Sequence, residues 1–176
     1  MEMIRKIVLL IVCLVILSSF AAINDECPEC EQLDKLELKA LRANTIGKEY
    51  TYDLSGIKSC NKTSIKYLGV IRTNKGKQYK VLTSFFVFKT HVDICHGNSN
   101  IKIYDMKNRY VGQYYVGTPD NLPDYLKNNK LLYSVNSEDC SLRKTRIIDC
   151  SKGLPKQFFI PCSKKGGDIY TFSSRD

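Results

Sequence analysis

Ile65-Lys66-Tyr67-Leu68-Gly69-Val70-Ile71-Arg72-Thr73 runs into Asn74-Lys75-Gly76-Lys77 and out again through Gln78-Tyr79-Lys80-Val81-Leu82-Thr83-Ser84-Phe85-Phe86-Val87-Phe88. Two segments rich in β-branched and aromatic residues flank a short polar segment containing a glycine, the pattern of a β-hairpin. The second arm extends to Val92 and is apolar on both faces after Ser84. Such a run belongs in the core of a sheet, and a bulge near Thr83 and Ser84 would absorb its length.

The same alternation continues outward. Residues 101–104 are answered by 110–116 across Asp105-Met106-Lys107-Asn108-Arg109, a connection of hairpin length and turn composition. Tyr50, Tyr52 and Leu54 alternate with polar neighbours. Further strands are expected at 131–135, 144–148, 157–160 and 169–172, between clusters of Asn, Asp, Gly, Ser and Pro. Residues 33–44 read two ways: Leu33, Leu36, Ala40 and Leu41 suit a short helix, whereas Leu36, Leu38 and Ala40 suit a strand. Nothing is long and periodic enough to demand a βαβ crossover. The expected fold is all-β, a mostly antiparallel meander or sandwich of about eight or nine strands, with at most a short N-terminal helix.

The start of the chain follows a different logic. Arg5 and Lys6 precede an apolar run from Ile7 to Leu17, and Ser18, Ser19, Phe20, Ala21 and Ala22 follow. These are the charged, apolar and small-residue regions of an exported precursor, with Ser19 and Ala21 in the third and first positions before a cut. Residues 1–21 therefore read as a signal peptide and residues 22–176 as a single exported β-rich domain, periplasmic or extracellular. The competing reading is an uncleaved anchor, which would be the chain's membrane contact. Cys13 within the apolar run and Cys27 after Asn24, Asp25 and Glu26 do not suit lipidation.

The chain carries 27 basic and 18 acidic residues, a formal charge of +9. Loss of Arg5, Lys6 and Glu2 with the signal peptide takes this to +8. Outside the cytoplasm such a charge points to an acidic glycan or an envelope protein rather than to nucleic acid. The basic residues are dispersed, as at Lys75, Lys77 and Lys80, and the plainer reading is solvated strand faces. No cofactor is implied.

The turn-rich hairpin around Asn108, Gly112 and Tyr115, the run Gly153-Leu154-Pro155-Lys156-Gln157-Phe158-Phe159 and the run Gly167-Asp168-Ile169-Tyr170 lie within residues 67–172. Together they resemble small exported proteins of uncharacterised type from Bacteroidota-like bacteria. The resemblance implies a bacterial envelope setting and no activity.

After cleavage seven cysteines remain, Cys27, Cys30, Cys60, Cys95, Cys140, Cys150 and Cys162. All are disulfide candidates in an oxidising compartment, yet an odd number leaves at least one thiol unpaired within the chain. The densest cluster of reactive side chains is His91-Val92-Asp93-Ile94-Cys95-His96. On an extended strand His91, Asp93 and Cys95 would share a face, and imidazole, carboxylate and thiolate all bind zinc. A Cys95 thiolate activated by His91 or His96 is the corresponding nucleophile. A disulfide at Cys95 with solvent-facing histidines is the plainer reading of the cluster. Cys27-Pro28-Glu29-Cys30 has the spacing of a redox dithiol but lacks a preceding strand to make it thioredoxin-like.

Among eleven tyrosines, Tyr110, Tyr114 and Tyr115 lie on the second hairpin, where Tyr114 and Tyr115 must face opposite sides. Tyrosine offers broad amphipathic surface and suits glycan or protein recognition. The sequence is thus read as a binding or structural protein of the bacterial envelope or extracellular space. The alternatives are a thiol- or metal-dependent enzyme centred on His91, Cys95 and His96, and a redox protein using Cys27 and Cys30.

Overall fold

A computed structural model describes residues 28–53, 62–89, 95–133, 146–163 and 166–174. The proposed signal peptide, the expected strand residue Leu54, and His91, Asp93, Cys27, Cys60 and Cys140 lie outside the described residues. Among the described residues one α-helix, α1 (Pro28–Ala43), precedes ten strands: β1 (Glu49–Asp53), β2 (Lys62–Arg72), β3 (Gln78–Lys89), β4 (Cys95–Tyr104), β5 (Tyr110–Tyr115), β6 (Tyr125–Lys127), β7 (Lys130–Tyr133), β8 (Arg146–Asp149), β9 (Gln157–Pro161) and β10 (Gly167–Ser174). The protein is mostly β and antiparallel, with a seven-stranded sheet in the order β1-β2-β3-β4-β5-β10-β9 and a three-stranded sheet β6-β7-β8.

The ambiguous segment is helical. Proline, whose missing N–H costs nothing in a first turn, opens α1, and Asn44 closes it at φ +51 with its N–H donating to the Ala40 carbonyl. Leu33, Glu37, Ala40 and Leu41 form the inward face at helical spacing, and Glu37 is fully buried within it. A charge at the centre of the stripe is what disguised the period.

Neighbours on β3 show why that strand reads as apolar on both faces. Leu82 packs with Ile65, Tyr67, Tyr104 and the helix, while Val81 packs with Leu68, Ile71, Ile101, Ile103 and Tyr114 on the other side, where Leu131, Tyr133 and Cys150 of the small-sheet region close the layer. The bulge expected at Thr83 and Ser84 is absent, and both residues hold register with β2 and β4. The extra residue sits instead in β2, where Tyr67 pairs with Leu82 but Gly69 pairs with Val81, and Gly69 takes φ +121. That shift turns Ile71 to the same face as Leu68.

The β2–β3 and β4–β5 loops share one design. Thr73 and Asp105 begin them, and their side-chain oxygens accept from the Lys77 and Arg109 N–H groups at 3.1 and 2.9 Å. Gly76 and Asn108 supply the left-handed residue at φ +78 and +63. The Arg109 N–H, followed by the Arg109 side chain and the Lys107 N–H, holds the Asp105 carboxyl below its ordinary value. The short strand β6 was not foreseen. It joins β7 through Asn128 and Asn129, both at positive φ as a two-residue hairpin loop requires.

Close approach fixes Gly112. A Cβ at Gly112 would lie 2.5 Å from the Ser173 carbonyl oxygen and 2.5 Å from Phe172 Cζ, where β5 meets β10. Gly112→Ala must push the strands apart and is expected to cost about 2 kcal/mol, read as a lower urea midpoint with unchanged slope.

Candidate functional site: a lysine-rimmed cleft

Two loops far apart in sequence meet at one end of the small sheet. Asp149 ends β8, and its Oδ1 accepts from the Ser151 N–H at 2.8 Å, which keeps the carboxyl below its ordinary value. The Gly153 N–H then donates to the Cys150 carbonyl and turns the chain, and the Asn74 N–H of the β2–β3 loop donates to the Ser151 carbonyl at 2.7 Å. This last bond docks residues 73–77 beside residues 151–156.

The docking leaves a cleft of about 600 Å³. Lys75 and Lys77 come from the first loop, Lys152 and Lys156 from the second, and all four are exposed. Tyr79, Val111, Leu154 and Phe172, each packed on the main core, form an apolar floor, with Thr73 and Thr171 at its margin. Among the described lining residues there is no carboxylate. Four ammonium groups around a low-dielectric floor focus positive potential into the concavity. The geometry suits an anionic ligand with an apolar face, and the volume suits one of small-molecule size.

The sequence-derived sites fare differently. Tyr114 is only 1% exposed, donates to the Pro155 carbonyl at 2.7 Å and packs against Phe158 and Phe172. It is a core residue, because the face it shares with Ile101 and Ile103 is covered by the second sheet. Tyr110 is half-buried, edge-on to Tyr104 at 5.7 Å. Tyr115, 57% exposed, alone of the three presents most of its ring to solvent. The three tyrosines therefore do not form a joint binding surface.

Cys95 begins β4 and is disulfide-bonded, as is Cys162. The Cys95 sulfur thus offers neither the thiolate ligand of the His91, Asp93 and Cys95 set nor a nucleophile for His96 to activate, and no group of three metal-ligating side chains occurs among the described residues. Cys30 falls in the first turn of α1, directly after Pro28 and Glu29. Cys150, counted among the disulfide candidates, is instead a free thiol. It is 1% exposed in the main core, and burial, with a smaller contribution from Asp149, pushes its pKa from 9.0 to about 12.

That shift has a sign. The fold favours the protonated thiol, so its contribution to stability is complete below pH 9 and is lost as pH rises toward about 12. At pH 8 the native protein is expected to show no labelling of Cys150 by iodoacetamide over hours, with full labelling in denaturant. Peptide mapping by mass spectrometry checks it, and rapid labelling of Cys150 in the native protein would contradict it.

Sequence reading saw Lys75 and Lys77 as solvated strand charges and did not join them to Lys152 and Lys156. A signal was present: each loop carries a Lys-Gly step, Lys75-Gly76 and Lys152-Gly153, with another lysine close behind. No family model, curated protein or solved structure matches this chain.

Proposed function

We propose that the protein is an exported binding module of the bacterial envelope or extracellular space, and that the lysine-rimmed cleft takes a short acidic saccharide. The observation that carries this reading is the convergence of Lys75, Lys77, Lys152 and Lys156 on an apolar floor without an opposing carboxylate among the described lining residues. Charged rim groups attract uronate or sulfate, while Tyr79 and the other floor residues meet the C–H face of a sugar ring. A concave site of this size favours a small ligand over a protein surface, which is typically met by a flatter and larger patch. Export supports the choice of partner, since acidic glycans lie where the proposed signal peptide would send the chain, and disulfides at Cys95 and Cys162 suit that oxidising setting.

The test is calorimetric titration with a short oligogalacturonate and with a neutral saccharide of equal length. The acidic saccharide is expected to bind, and the neutral one to bind at least about tenfold more weakly. Raising ionic strength from about 0.02 M to about 0.3 M should weaken the acidic ligand by a further order of magnitude. Equal affinity for the two saccharides, or insensitivity to salt, would remove the reading.

A further inference from the structure

The inner side of the small sheet holds a second collection of hydrogen-bond donors, independent of the lysine cleft. Arg146 opens β8 directly opposite Tyr133, the last residue of β7, and the two side chains share the face that turns toward the core. Tyr133 is 2% exposed, and its hydroxyl is buried without a partner among the described residues. The same holds for Nε and Nη2 of Arg146. Those two nitrogens form the side-on edge of the guanidinium, the edge that engages both oxygens of a carboxylate at once. Tyr170 stands within electrostatic range, and its hydroxyl donates to Asp168 Oδ2 at 3.3 Å.

Buried donors are nearly always satisfied in native proteins, and a buried cation without a counter-ion is the costliest exception. Burial lowers the Arg146 pKa, as expected of a guanidinium that lacks a close negative partner, and the field of Tyr170 opposes the shift only in part. Three N–H and O–H donors on one face and a fixed positive charge match the chemistry of a small oxyanion.

We propose that the Nε–Nη2 edge of Arg146 and the Tyr133 hydroxyl bind the carboxylate of a small organic acid. The guanidinium donates to both carboxylate oxygens through two parallel N–H···O bonds, and the tyrosine hydroxyl donates to one of them. Occupancy pairs a half-buried guanidinium whose Nε–Nη2 edge has no partner among the described residues, so ligand and fold are coupled.

The experiment uses the full exported chain and follows thermal unfolding as acetate or formate replaces chloride at constant ionic strength. The native protein is expected to gain about 3 °C in Tm at saturating acetate. Arg146→Met should abolish the acetate response and, measured in chloride, should unfold at or above the native temperature, because it removes an unpaired buried charge. Tyr133→Phe should weaken the acetate response about fivefold with little change in chloride. Replacing Lys75, Lys77, Lys152 and Lys156 with glutamine should leave the response intact, which separates this site from the cleft. An acetate response that persists in Arg146→Met overturns the proposal. So does an absent response in the native protein, and so does a marked fall in Tm of Arg146→Met in chloride, which would mark Arg146 as already paired within the chain.

Discussion

Glu37→Ala is expected to cost about 3 kcal/mol of folding stability. Glu37 projects from α1 onto the sheet and is fully buried, while the Lys102 side chain is only 12% exposed. Lys102 Nζ lies 2.9 Å from Oε2 and 2.7 Å from Oε1, and the Tyr104 hydroxyl donates to Oε2 at 2.7 Å. Only the contacts to Oε2 are aligned as hydrogen bonds, so Oε1 is held by charge. Burial, and after it the carboxylate, drive the Tyr104 pKa far above its ordinary value. Removing the carboxylate leaves an ammonium group out of water with nothing to offset it, and leaves a phenol without an acceptor.

The comparison that identifies the cause is the double variant Glu37→Leu with Lys102→Met. Apolar groups of similar volume avoid the desolvation cost of both ions, so the double variant should recover most or all of the loss. Urea denaturation of the native protein, the Glu37→Leu and Lys102→Met single variants and the double variant closes the cycle. A Glu37→Ala protein of native stability would show that the pair contributes nothing to docking the helix.

The second large effect concerns binding. Replacing Lys75, Lys77, Lys152 and Lys156 with glutamine is expected to reduce affinity for the oligogalacturonate by roughly two orders of magnitude, taking each exposed charge as worth about 0.5–1 kcal/mol. All four residues are exposed, so folding should be unaffected. The salt dependence should fall with the affinity, because the removed charges are its source. Calorimetry on the variant at two ionic strengths measures both. Retained affinity with retained salt dependence would place the ligand elsewhere.

The first hairpin was legible because local chemistry and global position agree there. Strand composition, turn residues and two covered faces all point to the same structure for residues 62–89. Helix α1 was half-legible, since Glu37 occupies a position where the pattern requires an apolar residue, and its partner Lys102 lies 65 positions away. Strand length points to a bulge in the apolar arm, whereas the backbone needs a residue tolerant of positive φ and finds it at Gly69 in the other arm. Strand β6 spans three residues, too few for a period to emerge, although Asn128 and Asn129 marked its turn.

The candidate site was less legible than the fold. Its two halves, at residues 73–79 and 152–156, come together through one backbone hydrogen bond between Asn74 and Ser151, and such a bond depends on no side-chain identity. The tyrosines drew attention because they are conspicuous as a type. Yet alternation on β5 sends Tyr114 into the core and leaves Tyr115 outside, and the parity of a strand decides that, not the residue. Cysteine counting required at least one odd thiol without identifying it; among the described residues Cys150 is a free thiol, buried in the main core.

Amine footprinting tests the central claim most directly. The intact protein is acylated at lysine with a water-soluble ester, with and without saturating oligogalacturonate, and each modified lysine is quantified by mass spectrometry. Lys75, Lys77, Lys152 and Lys156 should lose reactivity several-fold when the saccharide is bound, while exposed lysines outside the cleft, such as Lys48, Lys107 and Lys127, should keep theirs. Protection spread evenly over all exposed lysines, or concentrated away from these four, would contradict a binding function at the cleft.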